Sequence, residues 1–133
     1  MNGIAVDGSG NLWASDGLTL DEFKPPFGAG SSVAFSTNEP GNGIAFDASG
    51  RLFVSTATGV DVFQPPFGTG MTPAFTIAAA SASYLAFDPS GNLYVTTTTA
   101  QLLEFTQPLS ATSAPAVTLN IPGGSAAGIA IGP

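Results

Sequence analysis

The stretch Gly43-Ile44-Ala45-Phe46-Asp47-Ala48-Ser49-Gly50-Arg51-Leu52-Phe53-Val54 decides the fold of this 133-residue chain. It is a short apolar run, a four-residue polar turn and a second apolar run. The same pattern occurs at residues 3–14 and 84–95, so that Ile4 and Ile44 are 40 residues apart and Ile44 and Leu85 are 41 apart. A period of about 40 residues predicts a chain built of stacked repeats, each packing on its neighbours.

Each repeat is predicted to contain four short β-strands, because β-branched and aromatic residues form short runs bounded by Gly, Pro, Asp and Ser. First strands are predicted at 4–6, 44–46 and 85–87, and second strands at 12–15, 52–55 and 93–97. Third strands are predicted at 18–23, 60–63 and 102–105, and fourth strands at 33–36, 74–77 and 116–120. No window of 11 residues shows the spacing of an amphipathic helix. The sequence therefore predicts an all-β chain.

A turn that begins with Asp and ends with Gly joins the first two strands of every repeat, at residues 7–10, 47–50 and 88–91. An Asp side chain can accept hydrogen bonds from the backbone two residues on, and Gly tolerates positive φ, so these turns predict hairpins with a bulge at Gly. The alternative is that Asp7, Asp47 and Asp88 bind calcium. Turn building is favoured, because a calcium site needs about six to eight oxygen ligands and these turns offer few.

Proline-rich loops join the third and fourth strands at 24–30 and 64–70, and a shortened copy lies at 106–110. Paired prolines can act as polyproline ligands. We favour rigid outer loops whose Phe27 and Phe67 side chains pack back onto their own repeat and whose prolines block edge pairing.

Aromatic residues recur at matching positions of the repeats. The rows are Trp13, Phe53 and Tyr94; Phe23, Phe63 and Phe105; and Phe35, Phe75 and Val117. Side chains repeated in every unit are what contact between stacked sheets requires, so we predict packing for them rather than ligand stacking.

The motif Gly-Ile-Ala-Val/Phe-Asp, a turn, then Gly-Asn-Leu-Trp/Tyr resembles the NHL-repeat family and the related streptogramin-lyase-like β-propellers. The resemblance implies a partial or half propeller, with blades at about 3–42, 43–83 and 84–127 in a single segment, 1–133. Gly128–Ile131 repeats the motif and implies an extra first strand at 128–133. A propeller closes with typically about four to eight blades.

The resemblance also implies that the first strands line a central channel and that the loops at one rim bind ligand. The rim candidates are Ser15, Asp16, Asn38, Glu39, Asn42, Ser55, Thr56, Ser81, Ser83 and Thr97, of which Asp16, Asn38, Glu39, Asn42, Thr56 and Ser83 are the ligand-rim residues we single out. Streptogramin lyases use a His-based site, and this chain has no His. Gluconolactonase-like propellers hold a divalent metal with Glu, Asn and Asp, for which Glu39, Asn38 and Asp16 of one repeat are the local analogues.

Composition limits the function further. The net charge is −7, with only Lys24 and Arg51 as bases, which disfavours nucleic acid because phosphate binding needs clustered cations. The absence of Cys and His excludes disulfides and thiol or imidazole chemistry. No run of about 18 apolar residues predicts a membrane span. No signal peptide precedes the first repeat, and an extracellular or periplasmic location is compatible with the sequence.

The sequence predicts a non-catalytic binding or scaffold module, with no catalytic residue, metal or cofactor assigned. The alternative is a lyase- or lactonase-type propeller enzyme with a divalent metal at the rim, which rests on family analogy. Open apolar sheet faces predict either a homodimer that completes a six-bladed ring or the remainder of a longer chain, and we favour the longer chain. A protein or small-molecule ligand is compatible with both.

Overall fold

The computed structural model describes residues 2–124 and 126–132. Three residues lie outside the described residues: Met1 of the predicted segment, Ser125 of the predicted third repeat and Pro133 of the predicted extra strand. The strands are β1 Gly3–Val6, β2 Leu12–Ser15, β3 Leu20–Phe23, β4 Phe35–Thr37, β5 Ile44–Phe46, β6 Leu52–Ser55, β7 Gly59–Phe63, β8 Phe75–Ala78, β9 Ala82–Phe87, β10 Leu93–Thr97, β11 Gln101–Phe105 and β12 Val117–Asn120. The described residues contain no helix.

The strands form three antiparallel sheets of four, which we call the first sheet (β1–β4), the middle sheet (β5–β8) and the third sheet (β9–β12). In every sheet the strands lie in chain order, so each repeat is a meander. The all-β prediction is confirmed, and so is the assignment of four strands to each repeat. β1 lies beside β5, while β5 and β6 lie beside β9.

The Asp turns have the predicted geometry. The Oδ1 atom of Asp47 accepts hydrogen bonds from the backbone N–H groups of Ser49 and Arg51, both at 2.9 Å. Gly50 has a φ of 78°, a value that favours glycine. Asp7 and Asp88 make the same two backbone bonds in their own turns. The three carboxylates therefore build hairpins.

Some strand ends differ from the prediction. β3 begins at Leu20 rather than at Leu18, because the carboxylate of Asp16 accepts the N–H groups of Leu18 and Thr19 and holds them in a turn. β9 begins at Ala82 rather than at Leu85. Its pairing with β10 continues past an irregularity in register between Val95 and Thr97, a feature that periodicity alone does not predict.

Two apolar clusters hold the sheets together. The first seam, between the first and middle sheets, contains the buried residues Trp13, Leu20, Ile44, Leu52, Val54 and Phe63. The second seam, between the middle and third sheets, is built around Phe53, Val62, Leu85, Val95 and Phe105. Neighbouring residues of β6 point to opposite seams, so all four of its residues are buried. This follows from the two-residue period of a strand covered on both faces.

Trp13, Phe53, Phe63 and Phe105 fill the seams as predicted. The Trp13 ring makes edge-to-face contacts with Phe46 at 5.8 Å and Phe67 at 5.3 Å between ring centroids. Phe53 does the same with Phe87 at 4.9 Å. Phe67 packs on Trp13 of the first repeat rather than only on its own repeat.

The packing prediction is wrong for Val117, which is 40% exposed, and Tyr94 is only partly buried, because among the described residues no sheet lies beyond the third sheet. The prediction for Phe27 is wrong: its side chain is 53% exposed, because no sheet lies on the face of the first sheet that would receive it.

The predicted extra strand is also wrong over its described part, since residues 128–132 form no strand. The first strand of every sheet pairs with the second strand of the same repeat. Among the described residues no strand pairs with this segment, so its backbone belongs to no sheet.

Candidate functional site

The predicted ligand residues gather at one end of the sheets. In a four-stranded meander the connections alternate between two ends, and the β2–β3, β4–β5, β6–β7, β8–β9 and β10–β11 connections all lie where the first strands begin. We call this the loop end. The Asp turns and the proline loops lie at the opposite end, which we call the turn end.

Hydroxyl groups join the sheets at the loop end. The Oγ atom of Ser15 in the first sheet donates to the carbonyl oxygen of Asn42 before the middle sheet, at 2.7 Å. The Oγ atom of Ser55 in the middle sheet donates to the carbonyl oxygen of Ser83 in the third sheet, at 2.5 Å. Ser15 and Ser55 are buried. These two predicted rim residues therefore connect neighbouring sheets instead of facing solvent.

The same joints bring the innermost strands very close together. A Cβ atom on Gly43 would lie 2.5 Å from the carbonyl oxygen of Ser83 and 2.8 Å from the Cα atom of Tyr84. A Cβ atom on Gly3 would lie 2.6 Å from the carbonyl oxygen of Asn42. Both contacts are to backbone, which cannot rotate away. Glycine is therefore required where the first strand of one sheet meets the start of the next.

Three other rim candidates, Thr56, Thr97 and Ser81, are held by hydrogen bonds that involve the backbone. Thr56 Oγ1 is hydrogen-bonded within its own loop, accepting the N–H of Gly59 at 3.2 Å. Thr97 is buried, and its hydroxyl accepts the N–H of Gln101 at 3.1 Å. Ser81 has a φ of 61° and donates its N–H to the carbonyl oxygen of Ala57 at 2.8 Å. This last bond ties the loop before the third sheet to a loop of the middle sheet.

Asp16, Asn38 and Glu39 have different neighbours. Exposed Asp16 accepts two backbone N–H groups of its own loop, and these bonds lower the pKa of its carboxyl below the usual value. Exposed Asn38 lines a cavity of about 340 Å³ shared with the loop residues Thr69 and Met71 of the middle sheet. Glu39 instead faces Asp61 of β7 across the first seam.

The Glu39–Asp61 pair is the strongest electrostatic feature of the loop end. Burial raises the pKa of Glu39, and the negative charge of Asp61 and a hydrogen bond between the two carboxyls raise it further, to about 7. Asp61 also accepts the hydroxyl of Thr76 at 2.5 Å. Glu39 can therefore hold a proton near neutral pH.

The sequence identified Glu39 but missed Asp61, which belongs to a different repeat. One signal was present: in Val60-Asp61-Val62 the alternation of a strand places the acid on the face opposite the two buried valines. Because the middle sheet is covered on both faces, that opposite face is also a seam.

Two further cavities lie between repeats. One, of about 200 Å³, lies where the first strands converge and is lined by residues 2–4, 43–44, 84–85 and 127–129. The other, of about 380 Å³, lies at the turn end between the first and middle sheets and includes Asp7, Glu22, Lys24 and Phe67. Burial would raise the pKa of Asp7, but hydrogen bonds from Trp13 and Asn11 outweigh it and lower the pKa. Both cavities combine loops from different repeats, which the sequence pattern of a single repeat does not reveal.

The sequence matches no protein-family model, and it matches no curated protein. In the part of the chain that the structure describes, no three acidic, His or Cys side chains are placed together to hold a metal ion. No helix among the described residues is long and apolar enough to cross a membrane.

Proposed function

We propose that this chain is a non-catalytic binding or scaffold module built of NHL-like β-propeller blades. Each sheet is one blade, the first strands lie toward the channel, and the loop end is the ligand-binding rim. The repeated four-stranded meanders, the adjacent first strands and the aromatic seams support this proposal.

The proposal rests on one observation: hydrogen bonds join the loop-end connections of neighbouring sheets into one surface. The buried hydroxyls of Ser15 and Ser55 fix the loop that precedes the next sheet. The Ser81–Ala57 backbone bond does the same between the middle and third sheets. Loops held on a rigid scaffold can present ligand groups in a fixed arrangement. The exposed polar groups on this surface include the carboxylate of Asp16, the amide of Asn38 and threonine hydroxyls, which suit hydrogen bonding to a polar ligand.

In a scaffold of this kind the buried residues between sheets determine stability, whereas the exposed loop residues contribute little to it. This difference can be measured. Thr58→Ala changes an exposed loop residue, and we expect the melting temperature to change by less than about 2 °C, as for ordinary surface substitutions. Ser55→Ala changes a buried joint between sheets, and we expect a clear fall in melting temperature. Equal effects of the two variants would contradict the proposal.

The alternative is a propeller enzyme with a divalent metal at the rim, and the Glu39–Asp61 pair is the observation that favours it. Two neighbouring carboxylates attract a divalent cation. The experiment is isothermal titration of the chain with CaCl₂, MnCl₂ and ZnCl₂ in turn. Stoichiometric binding that Glu39→Gln abolishes would favour the enzyme and overturn the non-catalytic module.

A further inference from the structure

The cavity of about 380 Å³ at the turn end, which we call the turn-end cavity, lies between the first and middle sheets. The first sheet contributes the side chains of Glu22 and Lys24, and the middle sheet contributes Pro65, Pro66 and Phe67 of its proline loop. Both sheets belong to this chain, so the walls do not depend on what covers its outer faces. A concave space with apolar walls and a few polar groups is the usual form of a small-molecule site.

The corresponding place in the second seam is closed by apolar side chains. Val62 holds the strand position of Glu22 and is fully buried. Leu109 follows the prolines of its loop as Phe67 does, and it is 6% exposed. Ordinary apolar packing can therefore fill this space. The first seam differs because it has a carboxylate where the second seam has a buried valine.

The register of the first sheet directs Glu22 toward the seam. Glu22 lies opposite Trp13 in the pairing of β2 with β3, so the two side chains share one face of the sheet. In the third sheet the equivalent acid, Glu104, accepts the hydroxyl of the equivalent aromatic residue, Tyr94, at 3.2 Å. Trp13 instead donates its Nε1–H to Asp7 at 3.1 Å. The aromatic neighbour of Glu22 therefore does not satisfy its carboxylate.

Three charged side chains line the turn-end cavity, and two of them are available to a ligand. Asp7 accepts four hydrogen bonds of 2.8 to 3.1 Å, from two backbone N–H groups and from the side chains of Asn11 and Trp13. These bonds occupy the roughly four lone-pair sites of a carboxylate. Glu22 and Lys24 form no ion pair within the part of the chain that the structure describes. An unpaired carboxylate and an unpaired ammonium group therefore share the cavity.

We propose that the turn-end cavity binds a small zwitterion, an α-amino acid with an apolar side chain. The Glu22 carboxylate accepts hydrogen bonds from the ammonium group of the ligand, and the Lys24 ammonium group donates to its carboxylate. The ligand side chain lies against Phe67 and the two prolines, where its apolar surface is removed from water. Charge-assisted hydrogen bonds are about twice as strong as neutral ones, so a ligand that has both charges is favoured over a ligand that has one. The site lies at the end opposite the ligand-binding rim and goes beyond the proposed function.

Isothermal titration of the full chain with three probes of similar shape tests the proposal. The probes are L-leucine, isopentylamine, which lacks the carboxylate, and isocaproate, which lacks the ammonium group. We expect L-leucine to bind at one site with a dissociation constant below about 1 mM. Each of the other two should bind at least about tenfold more weakly, because one charge-assisted hydrogen bond is missing. This comparison uses the unchanged chain and does not depend on the folding of any variant.

Two variants assign the charges to their residues. Glu22→Gln should remove the preference for L-leucine over isocaproate, and Lys24→Met should remove the preference for L-leucine over isopentylamine. Each variant should also weaken L-leucine binding at least about tenfold. The matched controls are Glu104→Gln and Gln64→Met at the equivalent positions of the third and middle sheets, and they should leave L-leucine binding unchanged.

Three results would overturn the proposal: no heat of binding at about 10 mM L-leucine, equal affinity for the three probes, or a preference for L-leucine that survives both Glu22→Gln and Lys24→Met. Binding that is lost in Asn38→Ala but kept in Glu22→Gln would also overturn it, because the amino acid would then lie at the loop end and support the rim function instead. Binding that is unaffected by Asn38→Ala and lost in Glu22→Gln would support the turn-end site.

Discussion

Replacement of Glu39 by Gln should stabilise the protein at alkaline pH and remove part of its pH dependence. The pKa of Glu39 is raised from 4.5 to about 7 by burial and by the charge of Asp61. The folded state therefore holds a proton that the unfolded chain releases between these two pH values. The free energy of unfolding falls as pH rises through this window, and the loss is complete above about pH 7.

The magnitude follows from the size of the pKa change. A difference from 4.5 to about 7 corresponds to about 3.4 kcal/mol at about 1.36 kcal/mol per pKa unit. Glu39 is partly exposed, and solvent screening reduces the expected effect to about 1–2 kcal/mol. Glu39→Gln keeps a hydrogen-bond donor toward Asp61 without a charge. We expect it to be more stable than the wild type by about 1–2 kcal/mol at pH 8 and nearly equal to it at about pH 4.5.

The assay is urea denaturation between about pH 4.5 and 8, followed by tryptophan fluorescence. Trp13 is the only tryptophan. It is buried in the first seam, where Glu39 faces Asp61. The hydrogen bonds that lower the pKa of Asp7 and Asp88 act on groups that titrate below this range. Glu22→Gln serves as a control, because it changes the net charge equally at another place. Parallel pH profiles for Glu39→Gln and the wild type would refute the reasoning.

Three further substitutions test the packing. Phe53→Ala should lower the free energy of unfolding by about 3–5 kcal/mol in denaturant melts, because its ring lies fully buried in the second seam; a cost below about 1 kcal/mol would show that the ring is not a packing residue. Gly43→Ala should cost about 1–3 kcal/mol or more, since its Cβ would meet backbone at 2.5 Å, while Gly8→Ala, with open space around it, should change calorimetric stability little. Ser55→Ala should cost about 1–3 kcal/mol by leaving buried partners unsatisfied, and an unchanged urea midpoint would contradict its role between sheets.

The repeat predicted the parts of the fold that depend on local pattern. The second strands 12–15, 52–55 and 93–97 and the Asp turns follow from alternation and turn chemistry, both of which act over a few neighbouring residues. All three second strands have the predicted bounds. The start of β3 was missed because the Asp16 carboxylate competes for the backbone N–H groups that would extend the strand.

The properties that depend on neighbouring sheets were harder to predict. Phe27 and Phe67 have the same sequence context, yet Phe27 is exposed and Phe67 packs on Trp13. The difference comes from whether a sheet lies on that side. The same reason prevented prediction of the contact between Asp61 and Glu39 and of the bonds by which Ser15 and Ser55 connect neighbouring sheets. Their partners lie in another repeat, 27 residues away for Ser15–Asn42 and 28 for Ser55–Ser83, a distance along the chain that strand alternation and turn chemistry do not cover.

The burial of β6 on both faces has a consequence for the order in which the chain opens. Sheets that contact one another in chain order form a linear array, whose stability is a sum of units and the interfaces between them. Opening the first or the third sheet breaks one interface, but exposing β6 breaks both. The amides of β6 should therefore exchange with solvent only through complete unfolding, while those of the fully exposed β12 exchange through local fraying. The middle sheet is the cooperative centre of the molecule, and the two outer sheets depend on it for their order.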